Sequence, residues 1–202
     1  MRYGMIIDLA RCIGCNACTV ACKSHNGTPK DIFWSQVLVE EKGEYPNARV
    51  VPTPILCMHC EDAPCVKACP TGASYKDENG IVHVNQDKCI GCKSCMVACA
   101  YDARKFMGGE PKSYFPGKEV TELEEVQHTE FSRGVVSKCD FCADRLKEDL
   151  LPACVGTCPA QARIFGDLDD PGSEVSKILV KKSGRTLLSH KGTKPSVYYL
   201  AR

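Results

Sequence analysis

Apolar and polar positions alternate, with β-branched residues among them, from Arg2 to Leu9, and this predicts a strand. A second strand is expected from Trp34 to Glu40, closed by the polar turn Lys42-Gly43-Glu44. The run Cys69-Pro70-Thr71-Gly72-Ala73 reads as the entry to a helix, followed by a turn at Asp77 to Gly80 and a strand over Ile81-Val82-His83-Val84. Gly108 to Gly134 is rich in Gly, Pro and Glu and reads as a surface loop. Its acidic part, Glu122 to Glu130, fits a solvated face better than a docking surface. Next come a strand at Arg163-Ile164-Phe165-Gly166, a turn at Asp169-Asp170-Pro171-Gly172, a helix capped at Ser173, and a last strand from Val197 to Leu200. No apolar run approaches the roughly 18–20 residues that cross a bilayer.

Composition changes the picture. The 202 residues include 16 cysteines, close to the density of a disulfide scaffold. Such a scaffold expects a secretory leader, and Met1 to Arg11, ahead of the first cysteine, leaves no room for one, so the thiols read as ligands. They fall into four quartets with none left over: Cys12, Cys15, Cys18, Cys22; Cys57, Cys60, Cys65, Cys69; Cys89, Cys92, Cys95, Cys99; and Cys139, Cys142, Cys154, Cys158. Cysteines grouped in this way, the last often before a proline, wrap an iron–sulfur cubane. Soft thiolate suits iron in sulfide, and two-residue spacing sets successive sulfurs on one tight loop whose N–H groups can point at the cluster. Gly14 and Gly91 stand where a side chain would obstruct that approach, and Pro70 and Pro159 suit the first turn of a following helix. The formal charge is +1 with every cysteine neutral. Each loaded cubane on four thiolates carries about −2, so four would bring the protein to roughly −7. Such a protein has no global attraction for nucleic acid or an anionic membrane.

The segment Cys12 to Cys22 nearly recurs as Cys89 to Cys99, sharing the four cysteines, the Ile-Gly pair and an alanine. Quartets two and four also resemble each other, through Pro64-Cys65-Val66 and Cys69-Pro70 against Pro152-Ala153-Cys154-Val155 and Cys158-Pro159. This reads as the duplication of a two-quartet unit. Pairing in space is a separate matter. Nineteen residues separate Cys69 from Cys89, against 34 between Cys22 and Cys57 and 39 between Cys99 and Cys139. The short gap matches a bacterial two-cluster ferredoxin, in which the fourth cysteine of each run ligates the other run's cluster. Quartets two and three then form one unit, and quartets one and four the other. The expected ligand sets are Cys12, Cys15, Cys18 and Cys158 (cluster 1); Cys57, Cys60, Cys65 and Cys99 (cluster 2); Cys89, Cys92, Cys95 and Cys69 (cluster 3); and Cys139, Cys142, Cys154 and Cys22 (cluster 4). Pairing one with two and three with four, which follows the duplication more simply, is the alternative.

Zinc is the rival metal, because Cys-x2-Cys pairs also mark zinc ribbons. Zinc does not call for three cysteines at close spacing and a fourth, four times over. The Cys-x3-Cys-x2-Cys of radical enzymes is missing, as are a dinucleotide fingerprint and a phosphate-binding loop. No catalytic residues are therefore expected. His59, inside Cys57-x2-Cys60, is read as a hydrogen-bond partner of nearby backbone in preference to a proton relay. Arg11, Lys23, Lys88 and Lys93 flank cysteines, where positive charge would raise a cluster's potential, or are plain surface residues. Trp34, Tyr3, Tyr75 and Tyr101 read as core or cluster-shielding residues.

The chain resembles the four-cluster, ferredoxin-like electron-transfer subunits of molybdopterin oxidoreductases of the dimethyl sulfoxide reductase superfamily. The resemblance rests on Tyr3 to Cys22, Cys57 to Tyr75, Cys89 to Arg104, Ser137-Lys138-Cys139-Asp140-Phe141-Cys142, Pro152 to Leu168 and the ending Gly192 to Leu200. Some relatives replace the third cysteine of quartet three; Cys95 is present here, so the resemblance implies four 4Fe-4S clusters. Ala100 stands where many relatives have proline, a local change of helix geometry that spares the ligands. The resemblance implies an α+β fold of two pseudo-symmetric bacterial two-cluster ferredoxin-like units with inserted loops and a C-terminal strand/helix extension. The outer unit is expected over residues 1–25 with 135–168 and the inner over 55–106, with insertions at 26–54 and 107–134 and an extension over 169–202. It implies a non-catalytic subunit passing single electrons between a redox partner (a membrane anchor with quinone, or a soluble carrier) and a large molybdenum or tungsten bis-pterin catalytic subunit. A free polyferredoxin, or a hydrogenase- or formate-dehydrogenase-linked carrier, is the alternative. The compartment stays open: co-export to the periplasmic face with a signal-bearing partner is favoured slightly over the cytoplasm.

Overall fold

The computed structural model describes residues 1–129 and 131–201; Glu130, the end of the acidic stretch, lies outside the described residues. In chain order the first half comprises β1 (Tyr3–Asp8), α1 (Ala17–Asn26), β2 (Ser35–Lys42), β3 (Arg49–Leu56), α2 (Pro64–Lys67), β4 (Ser74–Lys76), β5 (Val82–Val84) and α3 (Ser94–Val97). The second comprises β6 (Lys105–Phe106), α4 (Glu122–His128), β7 (Val136–Ser137), α5 (Ala143–Leu146), α6 (Ala153–Gly156), β8 (Arg163–Asp167), α7 (Glu174–Lys181), a 3-10 turn (Ser189–Lys191) and β9 (Val197–Leu200). Helices and strands are mixed as in an α+β protein.

β1 is the middle strand of a three-stranded sheet, antiparallel to β8 and parallel to β9, with Met5 opposite both Phe165 and Val197. It is covered on both faces. Met5 and Ile7 enter the main core, while Ile6 turns the other way onto Val175 of α7 and Leu200. Burial on both sides explains why Met5-Ile6-Ile7 is apolar without interruption. The main core joins Leu56, Met58, Val82, Phe141, Val197 and Tyr199 to Cys18, Cys57, Cys60, Cys139 and Cys154, so sulfur occupies positions that aliphatic side chains would fill elsewhere. β6 pairs with β7, Lys105 opposite Ser137, and the Trp34 indole donates to Ser137 Oγ at 3.1 Å. These contacts tie the middle of the chain to the segment carrying the fourth quartet.

The strand expected from Trp34 is present as β2, but its partner β3 was not foreseen. Pro52 and Pro54 stand in β3 opposite Val39 and Val37; proline gives a ladder no donor and masks a strand in sequence. No helix follows Cys69. Pro70 to Gly72 form a turn, with Gly72 at φ 66°, and Ser74–Lys76 pairs with β5 instead. Pro70 and Pro159 accordingly lie in turns after one-turn helices, and Pro64 is the proline in a first helical turn. The Gly108–Gly134 stretch is not all loop. Thr121 and Glu124 form a reciprocal capping box that starts α4, and Glu124 is buried against Ser113 and the Tyr114 N–H at 2.6 Å, so this carboxylate is not part of a solvated face. The Ser173 cap and the last strand stand where the sequence puts them. Among the described residues no helix is long and apolar enough to cross a membrane.

Candidate metal centres

In the first Cys-x2-Cys turn of each quartet the residue before the second cysteine has a left-handed backbone: Gly14 at φ 71°, His59 at 42°, Gly91 at 67° and Phe141 at 60°. This conformation curls the loop so that its two sulfurs face one side. At Gly91 a Cβ would also stand 2.0 Å from the Gly134 carbonyl oxygen, so glycine is required there by a neighbouring loop as well as by φ. One-turn helices then bring in further cysteines: Cys65 on α2, Cys95 on α3 and Cys154 on α6.

The quartets do not stay together in space. Cys12, Cys15 and Cys18 share an apolar hollow with Cys158. A second is lined by Cys57, Cys60, Cys65 and Cys99, with Met58 and Val82 in its wall. A third is lined by Cys89, Cys92, Cys95 and Cys69. Of the remaining four, Cys22 and Cys142 meet at Asn26, whose amide nitrogen lies 3.6 Å from Cys22 Sγ and 3.8 Å from Cys142 Sγ. Cys154 lies within electrostatic reach of Cys22, as does Cys139.

The electrostatics are those of sulfur held away from water. Burial pushes the Cys22 thiol up to about 12, helped by Cys154 and Cys142. Burial likewise takes Cys60 to about 12 and Cys142 to about 11. Cys69 goes the other way: burial opposes, but hydrogen bonds from Ser74 and Thr71 bring it down to about 7. Thiols this hard to ionise become thiolates when a cation centre offsets the charge. Backbone donors already point at sulfur: Ser74 N–H to Cys69 at 3.3 Å, Ala162 N–H to Cys158 at 3.3 Å and Phe141 N–H to Cys139 at 3.5 Å. Such N–H···S bonds are the ones that stabilise and tune an iron–sulfur cluster. A tetrahedral zinc would draw its sulfurs to about 2.3 Å from one point. Among the described residues no three His, Cys, Asp or Glu side chains are so gathered. The donor set, the apolar walls and the N–H donors fit a cluster.

Other residues singled out in sequence have local roles. His59 is wholly buried and its Nδ1 accepts the Val82 N–H at 3.1 Å, the backbone bond expected of it; burial, with Lys138 nearby, holds its pKa well below the usual range. Lys23 clamps a loop, donating to the carbonyls of Pro29 and Ile32 at 2.8 Å each, and burial lowers its pKa to about 8. Lys93 lies over the Phe106 ring, while Arg11 and Lys88 are exposed. Tyr3 stacks on Phe165, and the Tyr101 hydroxyl meets Thr193 Oγ at 2.6 Å. Tyr75 is exposed and stacks on His83, outside the buried core. Sequence reasoning missed the buried cations Arg104, Lys138 and Arg163. The repeated Ala-Arg pair, five residues after the last cysteine of quartets three and four, was the signal available for two of them.

Three apolar hollows, each lined by four cysteines, with backbone N–H groups aimed at sulfur, define an iron–sulfur protein. Comparison with known proteins gives the family. The chain matches the 4Fe-4S dicluster domain over residues 48–111 and 124–168, and a second dicluster family of that description over 11–73. It is 44% identical, over 98% of its length and 79% of the relative's, to a protein of Halobacterium salinarum named as an iron–sulfur subunit of dimethyl sulfoxide reductase. It is 39% identical to the iron–sulfur subunit of the arsenate respiratory reductase of a Shewanella species, over 99% of this chain and 96% of that one. A subunit of the sulfite dehydrogenase of Allochromatium vinosum is 40% identical over 100% of this chain and 83% of its own. The chain belongs to the iron–sulfur subunits of the dimethyl sulfoxide reductase family. It is an electron-transfer subunit and not a catalyst on its own.

Proposed function

We propose that the chain holds four 4Fe-4S clusters in two pseudo-symmetric ferredoxin-like units and passes single electrons between a redox partner and a large molybdenum or tungsten bis-pterin catalytic subunit. The clusters, when bound, supply reversible one-electron chemistry. The ligands are Cys12, Cys15, Cys18 and Cys158; Cys57, Cys60, Cys65 and Cys99; Cys89, Cys92, Cys95 and Cys69; and Cys139, Cys142, Cys154 and Cys22. The observation that carries this reading is the lining of the hollows, in which three cysteines of one quartet meet the last cysteine of another. The dicluster match over 11–73 spans quartets one and two in sequence order, but Cys22 keeps company with Cys142, which favours one-with-four. Residues 1–25 with 135–168 make the outer unit and 55–106 the inner, with insertions at 26–54 and 107–134 and the extension 169–202 completing the outer sheet through β9.

The residues between the hollows support a linear order of clusters 1, 4, 2 and 3. Arg163 lies near Cys18 and Cys154, Cys139 near Cys57, and Arg104 near Cys65 and Cys95. Of the sixteen cysteines only Cys15 and Cys92 are exposed, and they belong to the first and last clusters of that order, where electrons would enter and leave. The test is anaerobic capture of the tagged chain from its native host. Near-stoichiometric molybdenum or tungsten with a large second chain is expected; a fully iron-loaded chain with neither metal would favour a free carrier.

A further inference from the structure

Two arginines are buried among the sulfurs, Arg104 with 1% and Arg163 with 3% of its surface exposed. The Arg104 Nη2 donates to Cys65 Sγ at 3.1 Å and Nη1 to Ser74 Oγ at 2.8 Å. The Ser74 N–H in turn donates to Cys69 Sγ at 3.3 Å. A continuous hydrogen-bonded path thus runs from Cys65 of cluster 2, through the guanidinium and Ser74, to Cys69 of cluster 3. Arg163 repeats the arrangement. Its Nη2 donates to Cys18 Sγ at 3.3 Å and Ser35 Oγ at 3.0 Å, and Cys154 lies within its reach. Cys18 belongs to cluster 1 and Cys154 to cluster 4.

The two residues also share a place in the chain, the fifth position after Cys99 and after Cys158. Their main electrostatic partners are groups at the sites: Cys65, Cys95 and Cys57 for Arg104, and Cys154, Cys18, Tyr199 and Cys139 for Arg163. An arginine keeps its proton at any working pH, and its planar fork holds a sulfur and a hydroxyl at once, which a lysine cannot copy. The result is one fixed positive charge inside each unit, between its two clusters.

We propose that Arg104 and Arg163 set the reduction potentials of the paired clusters, each stabilising the more negative reduced state on both sides of it and so raising the two potentials together. The electron comes from the redox partner, and no proton accompanies it because the guanidinium stays charged. Raising two clusters in step leaves the driving force for electron exchange between them unchanged. This inference rests on the ligand sets proposed above.

The experiment is a potentiometric titration of the purified complex, following each cluster by electron paramagnetic resonance. Arg104→Gln is expected to change the oxidised-to-reduced ratio of clusters 2 and 3 at least tenfold, a fall of about 59 mV for a one-electron couple, while clusters 1 and 4 move less. Arg163→Gln gives the reverse pattern, and Arg104→Lys restores most of the lost potential. Ser74→Asp and Ser35→Asp keep each arginine packed but oppose its charge, so the same pairwise falls are expected; these variants carry the test if a glutamine variant does not load. Unchanged potentials in loaded variants, or an equal fall in all four clusters, would overturn the proposal. Fewer than four centres in the wild type would overturn the ligand sets instead, which separates the two failures.

Discussion

The imidazole of His59 is stacked on the ring of Phe141, with centroids 3.7 Å apart and planes 24° from parallel. Each ring stands immediately before the second cysteine of its own turn, in the left-handed backbone that glycine supplies in the other two turns. Bulky residues take that conformation rarely and at a cost. Here the contact between the rings holds both turns: Phe141 also meets Phe165 edge-on at 5.2 Å, and His59 is anchored to Val82. The loops carrying Cys57–Cys60 and Cys139–Cys142 are therefore pressed together through a dry pair of rings. This joint is where the proposed order of clusters passes from one unit to the other.

Phe141→Ala should cost about 3–5 kcal/mol, the usual penalty for emptying a buried aromatic site. His59→Ala leaves the Val82 N–H without its acceptor, adding about 1–3 kcal/mol to the lost packing. Anaerobic denaturant unfolding of the loaded protein measures both. A change below about 1 kcal/mol in Phe141→Ala would show that the stack is not a structural joint.

The ligand sets predict which centre each substitution damages. Cys22→Ser should alter the spectrum of the same centre as Cys142→Ser, although Cys22 lies in the first quartet. Cys158→Ser should alter the centre affected by Cys12→Ser. Electron paramagnetic resonance of the four variants decides it; a common lesion in Cys22→Ser and Cys12→Ser would restore sequence-order ligation.

Cluster assembly should depend on pH with a definite sign. Burial raises Cys22 to about 12, Cys60 to about 12 and Cys142 to about 11, so near neutral pH each carries a proton that iron must displace. Raising the pH toward those values favours loading, by about tenfold in the equilibrium per pH unit for each proton released. Anaerobic reconstitution at limiting iron should give more loaded protein at pH 8.5 than at pH 6.5, values chosen about two units apart below the raised pKa range. A pH-independent yield would mean that the thiols are ionised beforehand.

The capping box at α4 makes a local prediction. Hydrogen bonds from the backbone of Thr121 and Tyr114 bring Glu124 down to about 2. A carboxylate with a depressed pKa adds stability that is complete above its unfolded value of about 4.5 and disappears as the pH falls toward 2. Thr121→Ala should open the same helix at neutral pH, at about 1 kcal/mol. Hydrogen exchange at the Tyr114 and Glu124 amides reads both effects, and unchanged protection in Thr121→Ala would contradict them. The helix also lies over the end of α1, where Gln127 donates to the Ser24 carbonyl at 3.0 Å.

Much of this was legible in the chain because cysteine spacing is a local code: three sulfurs of each proposed set lie within one short segment. Strands β1 and β9 were legible as short runs rich in β-branched, aliphatic and aromatic residues, and the helix start as the Ser173 cap. What stayed hidden depends on distant partners. Pro52 and Pro54 conceal a strand that is plain once β2 lies beside it. Ser74–Lys76 becomes a strand only because Val82–Val84 is there to pair with it. The acidic run at Glu122 reads as solvated surface, because nothing local says that Glu124 folds back on Ser113. Arg104 and Arg163 look like ordinary charged residues until the fold closes around them.

The central claim is that the sulfurs hold iron–sulfur cubanes, and the most direct test is iron, acid-labile sulfide and zinc per chain after anaerobic purification. The account predicts about sixteen irons and about sixteen sulfides, with negligible zinc, and loss of circular dichroism when the metal is stripped, since the sulfurs occupy the core. Zinc in place of iron, or a stripped chain that keeps its native spectrum, would contradict it.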